Sequence, residues 1–259
     1  MVRVKTPINS ENDNAFWKEI ILSLSEIVGV YEKANNIMSL FTLKYVREKF
    51  FQFVFENIED GKALRILDAG TGPGTSLVYI LKKSGKEHYC VGLDPLPEMI
   101  NTSRKNFIDL DNVDFVRGVF EHLPFREDTF DLEVSSFAYR DAINYLSVAL
   151  ELSRTLKRSG QLFILDLNKP YEKRIIANFM EKIYMSIFPI FAGTILMGKN
   201  GFELYRILKK TYIRLPSSAE IYLIFKKVFK HCKYYVMLHG AVMLLHLKEP
   251  IRISSQHKG

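Results

Sequence analysis

An acidic residue followed by closely spaced glycines marks the stretch of this sequence best suited to hold a ligand. Asp68 ends a short apolar segment, and Gly70, Gly72 and Gly74 follow it at alternate positions. Glycines let a backbone approach a ligand closely because no Cβ stands in the way. The turn opens a helix at Thr75, and a helix N-terminus offers N–H groups without partners inside the helix. The pattern predicts a ligand-binding turn, although a tight turn without a ligand uses the same residues.

The spacing within this turn favours a cationic ligand over a dinucleotide. The dinucleotide fingerprint G-x-G-x-x-G places a pyrophosphate on the helix N-terminus. Here the third glycine, Gly74, comes one residue early, and the carboxylate of Asp68 would repel a pyrophosphate. S-adenosylmethionine (SAM) carries a sulfonium and an ammonium group and no phosphate. We therefore expect SAM at this turn, with Asp68, Gly70 and Gly72 among the residues that bind it.

A second acidic residue, Asp94, ends the next apolar segment and is followed by Pro95. Its carboxylate can accept hydrogen bonds from both hydroxyls of a ribose. It can also cap the helix that starts near Pro97, and the two roles are compatible. Met99 on that helix is a candidate for the adenine pocket, with core packing as the alternative. The other candidates for the SAM site, besides Asp94, Pro95 and Met99, follow the third and fourth predicted strands: Val119, Phe120 and Ser136.

Short apolar strands alternate with helices and must position these residues. The predicted strands begin at Leu64 and then cover Tyr89–Leu93, Val113–Arg117, Phe130–Ser136 and Gln161–Leu165. This alternation predicts an α/β fold with a Rossmann-like parallel sheet that helices cover on both faces. Ligands of such sheets bind beyond the carboxyl ends of the strands, so Asp68, Asp94 and Ser136 are expected at one edge.

The flanking regions are predicted to complete the fold. Residues 1–61, with helices at Phe16–Ile27 and Thr42–Asn57, are expected to form a helical lid before a SAM-binding domain at 62–259. A cap is expected at about 171–210, after the fifth strand. Its apolar stretch Ile183–Met197 is shorter than the roughly 20 residues that span a bilayer. The last predicted elements are a basic amphipathic helix and an antiparallel hairpin: Ser217–Lys230, then Tyr234–Leu238 with Ala241–Lys248.

Composition limits the function classes. The 259 residues include 47% hydrophobic and 25% charged residues, which is ordinary for a globular protein. Two cysteines are too few for a disulfide framework, which fits a reducing cytoplasm, and no metal site can be assembled from Cys and His spacing. Met1–Asn14 lacks the apolar core of a signal peptide. The net charge of +7 fits an anionic membrane surface or simply a lysine-rich surface, and the sequence has no Lys/Arg block as dense as a nucleic-acid tail.

Several longer motifs resemble those of a known protein family. The sequence resembles the UbiE-type C-methyltransferases of ubiquinone and menaquinone biosynthesis, which are class I SAM-dependent methyltransferases, from about Tyr31 to Glu249. The segment from Tyr31 to Ser39 matches the family's Y-D-x-M-N-x-x-M-S at Tyr31, Asn35, Met38 and Ser39. The other matching segments resemble L-D-A-G-T-G, S-F-G-x-R-N and L-E-F-S-K-P: Leu67–Gly72, Ser136–Asp141 and Leu165–Pro170.

The resemblance implies roles for several residues. Thr71, Asp94 and Ser136 take the family's SAM-contacting positions. Val119 and Phe120 stand where the family has Asn-Ala, so only backbone contacts would remain there. Tyr31 is expected on a lid over the cofactor, with aromatic core packing as the alternative.

The implied reaction is attack of an electron-rich ring carbon on the sulfonium methyl group. Arg140 is the expected catalytic residue, because a guanidinium can stabilise a phenolate or polarise a water that takes the proton. The alternative for Arg140 is an ion pair with Asp141 or another acid nearby. Tyr139 is expected to orient the ring, and His122 is a second candidate for the base.

The resemblance implies C-methylation of a prenylated quinol precursor, similar to demethylmenaquinol. The expected partners are a lipid-like small molecule and a membrane surface contacted from the cytoplasm. Nucleic acid is not expected as a partner. Whether the protein forms a homodimer is left open at this point. Two alternatives remain at this point: a methyltransferase for another lipid or small molecule, and a non-catalytic SAM-fold binding subunit. The intact acidic and glycine positions count against the second.

Overall fold

A seven-stranded sheet lies at the centre of the computed structural model, which describes residues 10–39, 41–58, 62–84, 88–169, 206 and 209–252. Its strands are β1 (Arg65–Ala69), β2 (Tyr89–Asp94), β3 (Val113–Arg117), β4 (Phe130–Ser136), β5 (Leu156–Leu167), β6 (Phe229–Met237) and β7 (Val242–Pro250). The strand order is β3-β2-β1-β4-β5-β7-β6. β1 to β5 run parallel, and β7 pairs antiparallel with β5 and β6. The predicted Rossmann-like sheet with a C-terminal antiparallel hairpin is confirmed.

The helices that carry labels here are α1 (Ser10–Ile27), α2 (Tyr31–Met38), α3 (Leu43–Asn57), α4 (Thr75–Ser84), α5 (Pro97–Asn106), α6 (Tyr145–Thr155) and α7 (Ser218–Phe225). Short 3₁₀ turns cover Val28–Val30 and Tyr139–Asp141, and residues 209–214 are helical. Local hydrogen bonds fix two helix starts. Asn144 accepts from the backbone N–H groups that open α6, and Ser217 forms a capping box with Glu220 at α7.

Two hydrophobic cores hold the helices on opposite faces of the sheet. Successive side chains of a strand point to opposite faces, so Leu67 lies in one core and its neighbour Ile66 in the other. The Leu67 core includes residues of α6 and α7, and the Ile66 core includes residues of α3, α4 and α5. The parallel strands are therefore fixed from both sides, and their carboxyl ends form a rigid edge.

Several predicted boundaries were wrong. The helix expected at Ser217–Lys230 ends at Phe225, because the chain turns and enters β6 at Phe229, opposite Pro250 of β7. The segment after Gly29, which had no predicted element, forms α2. The fifth strand is longer than expected and runs from Leu156 to Leu167.

The cap expected at about 171–210 lies outside the described residues, apart from positions 206, 209 and 210. In the part of the chain that the structure describes, no helix combines the length and apolar character needed to cross a bilayer.

Candidate active site

A cavity opens at the carboxyl ends of β1, β2 and β4, where ligands of such sheets are expected. It encloses about 830 Å³, including its open mouth. Ten of the predicted SAM-binding residues line it: Tyr31, Gly70, Thr71, Gly72, Asp94, Pro95, Met99, Val119, Phe120 and Ser136. Residues from distant parts of the sequence therefore meet in one place, as the strand pattern predicts.

The glycine turn crosses directly under this cavity. The backbone N–H groups of Gly70 and Thr71 both donate to the carbonyl of Leu93, at 2.8 and 2.9 Å, which ties the turn to β2. Gly70 has a φ of +78°, and a Cβ on it would lie 2.3 Å from the Cβ of Ala138. The turn needs glycine at this position for both its backbone angle and its close packing.

Asp68 lies beneath the turn and does not line the cavity. Its buried carboxylate accepts a hydrogen bond from the Thr71 hydroxyl at 2.8 Å. Burial raises the pKa of Asp68 to about 7, against the opposing effects of the Thr71 hydroxyl and the positive charge of Arg47. Asp68 thus reaches the cavity through Thr71, whose side chain it orients.

Asp94 faces the cavity and also fastens the glycine turn. One carboxylate oxygen accepts from the Gly72 N–H at 3.0 Å and the other from the Leu96 N–H at 2.9 Å. Each carboxylate oxygen can accept a second hydrogen bond, so acceptors for a ribose remain. Burial raises the pKa of Asp94 to about 6. The alternative role as N-cap was wrong, because Leu96 holds the N-cap position of α5.

Ser136 and Met99 show how the cavity wall is prepared for a ligand. The Ser136 hydroxyl is buried, lines the cavity and has no hydrogen-bond partner among the described residues. Buried hydroxyls without a partner are uncommon, and a ligand atom would satisfy this one. Met99 is 2% exposed, so it serves both the core and the cavity wall.

The first helix forms an apolar side of the same cavity. Four residues of α1 at helical spacing line it: Trp17, Ile20, Ile21 and Leu24. Their spacing in the sequence predicts a helix, but no motif marks these residues as part of a site. Apolar residues that recur every three to four positions lie on one face of a helix. This spacing was the signal that one face of α1 packs against an apolar surface or lines an apolar cavity.

Glu32 joins α2 to the sheet side of the cavity. Its carboxylate pairs with Arg47 of α3 at 3.1 Å and accepts from the Thr75 hydroxyl, at the start of α4, at 3.0 Å. All three residues line the cavity, and none of them was predicted as a site residue. This contact connects α2, α3 and the end of the glycine turn.

The charge of the cavity favours a cation. The lining includes four carboxylates and, among the described residues, one guanidinium, that of Arg47; the acids are Glu32, Asp94, Glu121 and Asp141. An excess of negative charge attracts a sulfonium and repels a pyrophosphate. The residues present therefore fit SAM.

Tyr139 and Arg140 are not among the described residues that line the cavity. Tyr139 is 1% exposed; its hydroxyl donates to the carbonyl of Tyr145 at 3.1 Å, and its ring packs on Phe225. The expectation that Tyr139 orients a ring therefore needs correction, because core packing holds this side chain away from the cavity.

The guanidinium of Arg140 forms the ion pair that the sequence analysis left as its alternative. Its Nη1 lies 3.2 Å from Oδ1 of the fully buried Asp166 and also donates to the carbonyl of Phe137. Burial opposes the charge of Arg140, but the carboxylates of Asp141 and Asp166 outweigh it and hold the pKa of Arg140 above its usual range. Arg140 thus carries a fixed positive charge behind the cavity wall. His122 is exposed and does not line the cavity either.

Comparison with known proteins decides the family. Residues 14–248 match the model of the ubiE/COQ5 methyltransferase family. The chain belongs to this family. It is similar to the demethylmenaquinone methyltransferase of Staphylococcus saprophyticus, with 24% identity over 237 residues, which are 91% of this chain and 98% of that protein. The protein of the same description from Staphylococcus aureus strain MRSA252 is 24% identical over 84% of this chain and 87% of its own length.

Solved structures share the fold of this ubiE/COQ5 family member. A putative methyltransferase of Haloferax volcanii, solved in complex with the Trm112 methyltransferase activator, matches with a TM-score of 0.59 and 17% identity, over 86% of this chain and 97% of that chain. A SAM-dependent methyltransferase from Aquifex aeolicus matches with a TM-score of 0.54 and 18% identity, over 83% and 97%. The family and the fold make the protein a SAM-dependent methyltransferase, as predicted.

Proposed function

We propose that this methyltransferase transfers a methyl group to a ring carbon of a prenylated quinol precursor similar to demethylmenaquinol. The observation that carries the proposal is the division of one cavity into two sides. The sheet edge presents carboxylates and the glycine turn, and α1 presents the apolar face of Trp17, Ile20, Ile21 and Leu24. An apolar ring with a prenyl tail suits the α1 side. The two curated relatives named above carry the name demethylmenaquinone methyltransferase.

The SAM site of the proposal uses the sheet side of the cavity. Asp94 would accept the ribose hydroxyls, and the Gly70–Gly72 turn would lie against the methionine part. Met99, Pro95, Val119 and Phe120 would enclose the adenine, and Ser136 and Tyr31 would close the site near the sulfonium. SAM, when bound, supplies an electrophilic methyl group on a good leaving group. The contribution of the chain is alignment, and well-oriented reactants gain roughly 7–11 kcal/mol.

The membrane is the proposed source of the acceptor. A prenylated quinol partitions into lipid, and the net charge of +7 would draw the protein from the cytoplasm to an anionic surface. Cosedimentation with anionic lipid vesicles tests this step. We expect binding that weakens as salt is added, since salt screens surface charge. Equal binding to neutral and anionic vesicles would contradict it.

Labelled SAM tests the substrate class. The protein is incubated with methyl-labelled SAM and a reduced membrane lipid extract, and the labelled product is identified by mass analysis. The proposal expects the label in an apolar product that carries the methyl group on a ring carbon. A label confined to water-soluble products would contradict it, and a label on another lipid would favour the wider class of lipid methyltransferases.

A further inference from the structure

Asp141 is a cavity carboxylate with no role assigned so far. It ends the 3₁₀ turn that follows β4, and it stands where the S-F-G-x-R-N motif of the resembled family has Asn. An amide cannot take a proton, so the role inferred below for Asp141 is specific to this chain and is not shared by relatives that carry Asn. Its side chain is 22% exposed and lines the cavity beside Ser136. The side chains of Tyr139 and Arg140 in the same turn face away from the cavity. Asp141 is therefore the residue of this 3₁₀ turn that can contact a ligand.

The Asp141 carboxylate accepts a hydrogen bond from the Thr211 hydroxyl and none from the neighbouring Arg140, whose guanidinium is bonded to Asp166. Asp166 accepts three hydrogen bonds, from Nη1 of Arg140 at 3.2 Å, from the N–H of Arg140 at 2.9 Å and from the N–H of Leu167 at 2.7 Å. Asp166 therefore fixes the position of the guanidinium. Nε of Arg140 lies 3.8 Å from Oδ1 of Asp141, too far for a hydrogen bond. Asp141 and Arg140 therefore attract each other as a loose ion pair, without a hydrogen bond between them.

The surroundings of Asp141 set its proton affinity. Burial raises its pKa to about 6, the nearby acids Asp166 and Asp94 add to the rise, and Arg140 and the Thr211 hydroxyl oppose it. The ionisable groups that interact electrostatically with Asp141 come from β2, β5, the 3₁₀ turn, α2 and α6: Asp94, Asp166, Arg140, Tyr31 and Tyr145. The carboxylate is ionised at neutral pH, and its pKa of about 6 is close to the operating pH, where a general base works best.

We propose that Asp141 is the catalytic base of the reaction and takes the proton from the ring hydroxyl of the methyl acceptor. The O–H bond breaks, its electron pair stays on the ring oxygen, and the proton passes from Asp141 to solvent through the cavity mouth. The ring carbon then forms its bond to the methyl group, whose former bonding pair stays on sulfur. That carbon then loses its own hydrogen as a proton, and the ring oxygen gains one, which restores the aromatic ring and the hydroxyl. The net product of each methyl transfer is therefore the single proton taken by Asp141 in the first step.

Arg140 is a positioning residue in this account. It holds the 3₁₀ turn against Asp166, and its charge keeps Asp141 ionised at a pH where burial would otherwise protonate it. The role of Asp141 rests on the quinol acceptor proposed above, because only an acceptor with an ionisable hydroxyl needs a base.

Asp141→Asn tests the base directly, because it keeps the size of the side chain and removes its proton affinity. The probe is a reduced demethylmenaquinone with a short prenyl tail, and kcat is measured from pH 5 to pH 9. Wild type is expected to lose activity as the pH falls through about 6. The variant is expected to lose about 10²–10⁴-fold in kcat and to lack this acid limb.

Three controls separate a base from a structural residue. Calorimetry is expected to show SAM affinity and melting temperature near wild type for Asp141→Asn. Glu121→Gln, which alters another cavity carboxylate, is expected to keep the acid limb, since Glu121 is already engaged by the N–H groups of Ile143 and Asn144. Asp141→Glu is expected to regain part of the rate and the limb.

The outcomes are distinct. An active wild type with an Asp141→Asn variant that keeps its acid limb, or retains more than a tenth of the rate, would overturn the base while leaving the quinol acceptor intact. A wild type that binds SAM and does not methylate the quinol would overturn the proposed function and the base with it.

Discussion

The carboxylate of Asp94 accepts two backbone hydrogen bonds before any ligand is considered, from Gly72 and Leu96. It therefore holds the glycine turn to β2 and, by the SAM site proposed above, also binds the ribose. Asp68, in contrast, acts from beneath through Thr71. Two acids that the sequence presents in the same way, each at the end of a strand, thus differ in task, because only one of them reaches the cavity.

Asp94→Ala is expected to weaken SAM binding by at least about tenfold, since hydrogen bonds to a charged group contribute roughly 1.5–3 kcal/mol. Isothermal calorimetry with SAM measures the effect. The matched control is Asp109→Ala, at an exposed aspartate away from the cavity, which should bind SAM as wild type does. SAM affinity that survives Asp94→Ala unchanged would remove the ribose role.

The sequence could predict the residues at strand ends and could not predict those of the turn after β4. Asp68, Asp94 and Ser136 follow from parallel strands, whose carboxyl ends must meet at one edge. Tyr139, Arg140 and Asp141 are consecutive, and a 3₁₀ turn sends them in different directions. Which of the three faces the cavity depends on their packing against Tyr145, a few residues further on, and against Asp166 and Phe225, which lie far along the chain.

At the level of elements, the glycine turn and the helices α1, α2 and α3 set the shape of the site. The turn is restricted by its neighbours: a Cβ at Gly70 would collide with Ala138, and one at Gly74 with the ring of Phe107. Gly72 has no neighbour within 4 Å of that position. The three glycines look equivalent in the sequence, but the structure gives them different tolerances.

Gly70→Ala is expected to be less stable than Gly72→Ala by about 1–3 kcal/mol, the usual cost of overpacking. Both substitutions place Ala at a positive φ and cost about 1–2 kcal/mol for it, so the difference reports the collision with Ala138 and the ring of Phe120. Denaturant unfolding of the two variants measures it. Equal stability of the pair would show that the turn can move away from Ala138.

The contact from Glu32 to Arg47 and Thr75 is expected to hold the lid over bound SAM. Glu32→Gln should speed SAM dissociation several-fold and increase hydrogen exchange in α2, because the ion pair is lost. Glu48→Gln, at an exposed glutamate of α3, is the control. A Glu32→Gln variant with the SAM off-rate and α2 protection of wild type would show that packing alone holds the lid.

Element types were predictable from periodicity, and some element ends were not. β3 and β4 begin and end where the sequence pattern places them, and α4 begins at Thr75 as predicted. The helix at Ser218 was predicted too long because Phe225, Val228 and Phe229 keep an apolar spacing that suits a helix. Pairing with β7 from Phe229 onwards, a contact across the sheet, extends that segment as a strand instead.

At the scale of the whole molecule, the buried His246 of β7 is expected to make the stability of the protein depend on pH. Its ring stacks on Phe163 at 4.3 Å between centroids, and Nε2 lies 2.7 Å from the side-chain oxygen of Gln161. Burial, helped by Lys248 and Lys233, lowers the pKa of His246 to about 4. The folded state therefore holds the ring neutral in a pH range where the unfolded chain protonates it.

The sign of the resulting effect follows from proton linkage. Between about pH 6.5 and pH 4 the unfolded state binds the extra proton, so stability is lost as the pH falls through this range. His246→Gln should remove up to about 1.4 kcal/mol per pH unit from that slope. Unfolding at pH 4.5, 5.5 and 7 measures it, with the exposed His231→Gln as control. An unchanged slope in His246→Gln would assign the acid lability to other groups.

The central claim is that the carboxylate-lined sheet edge and the apolar face of α1 bring SAM and a quinol ring together for carbon methylation. The most direct measurement gives purified protein trideuteromethyl SAM with demethylmenaquinol, or with the oxidised quinone, and locates the label by tandem mass spectrometry. We expect the trideuteromethyl group on the ring carbon of the quinol and none on the quinone, because only the reduced ring is nucleophilic. SAM binding without any labelled quinol, or a label on oxygen, would contradict the account.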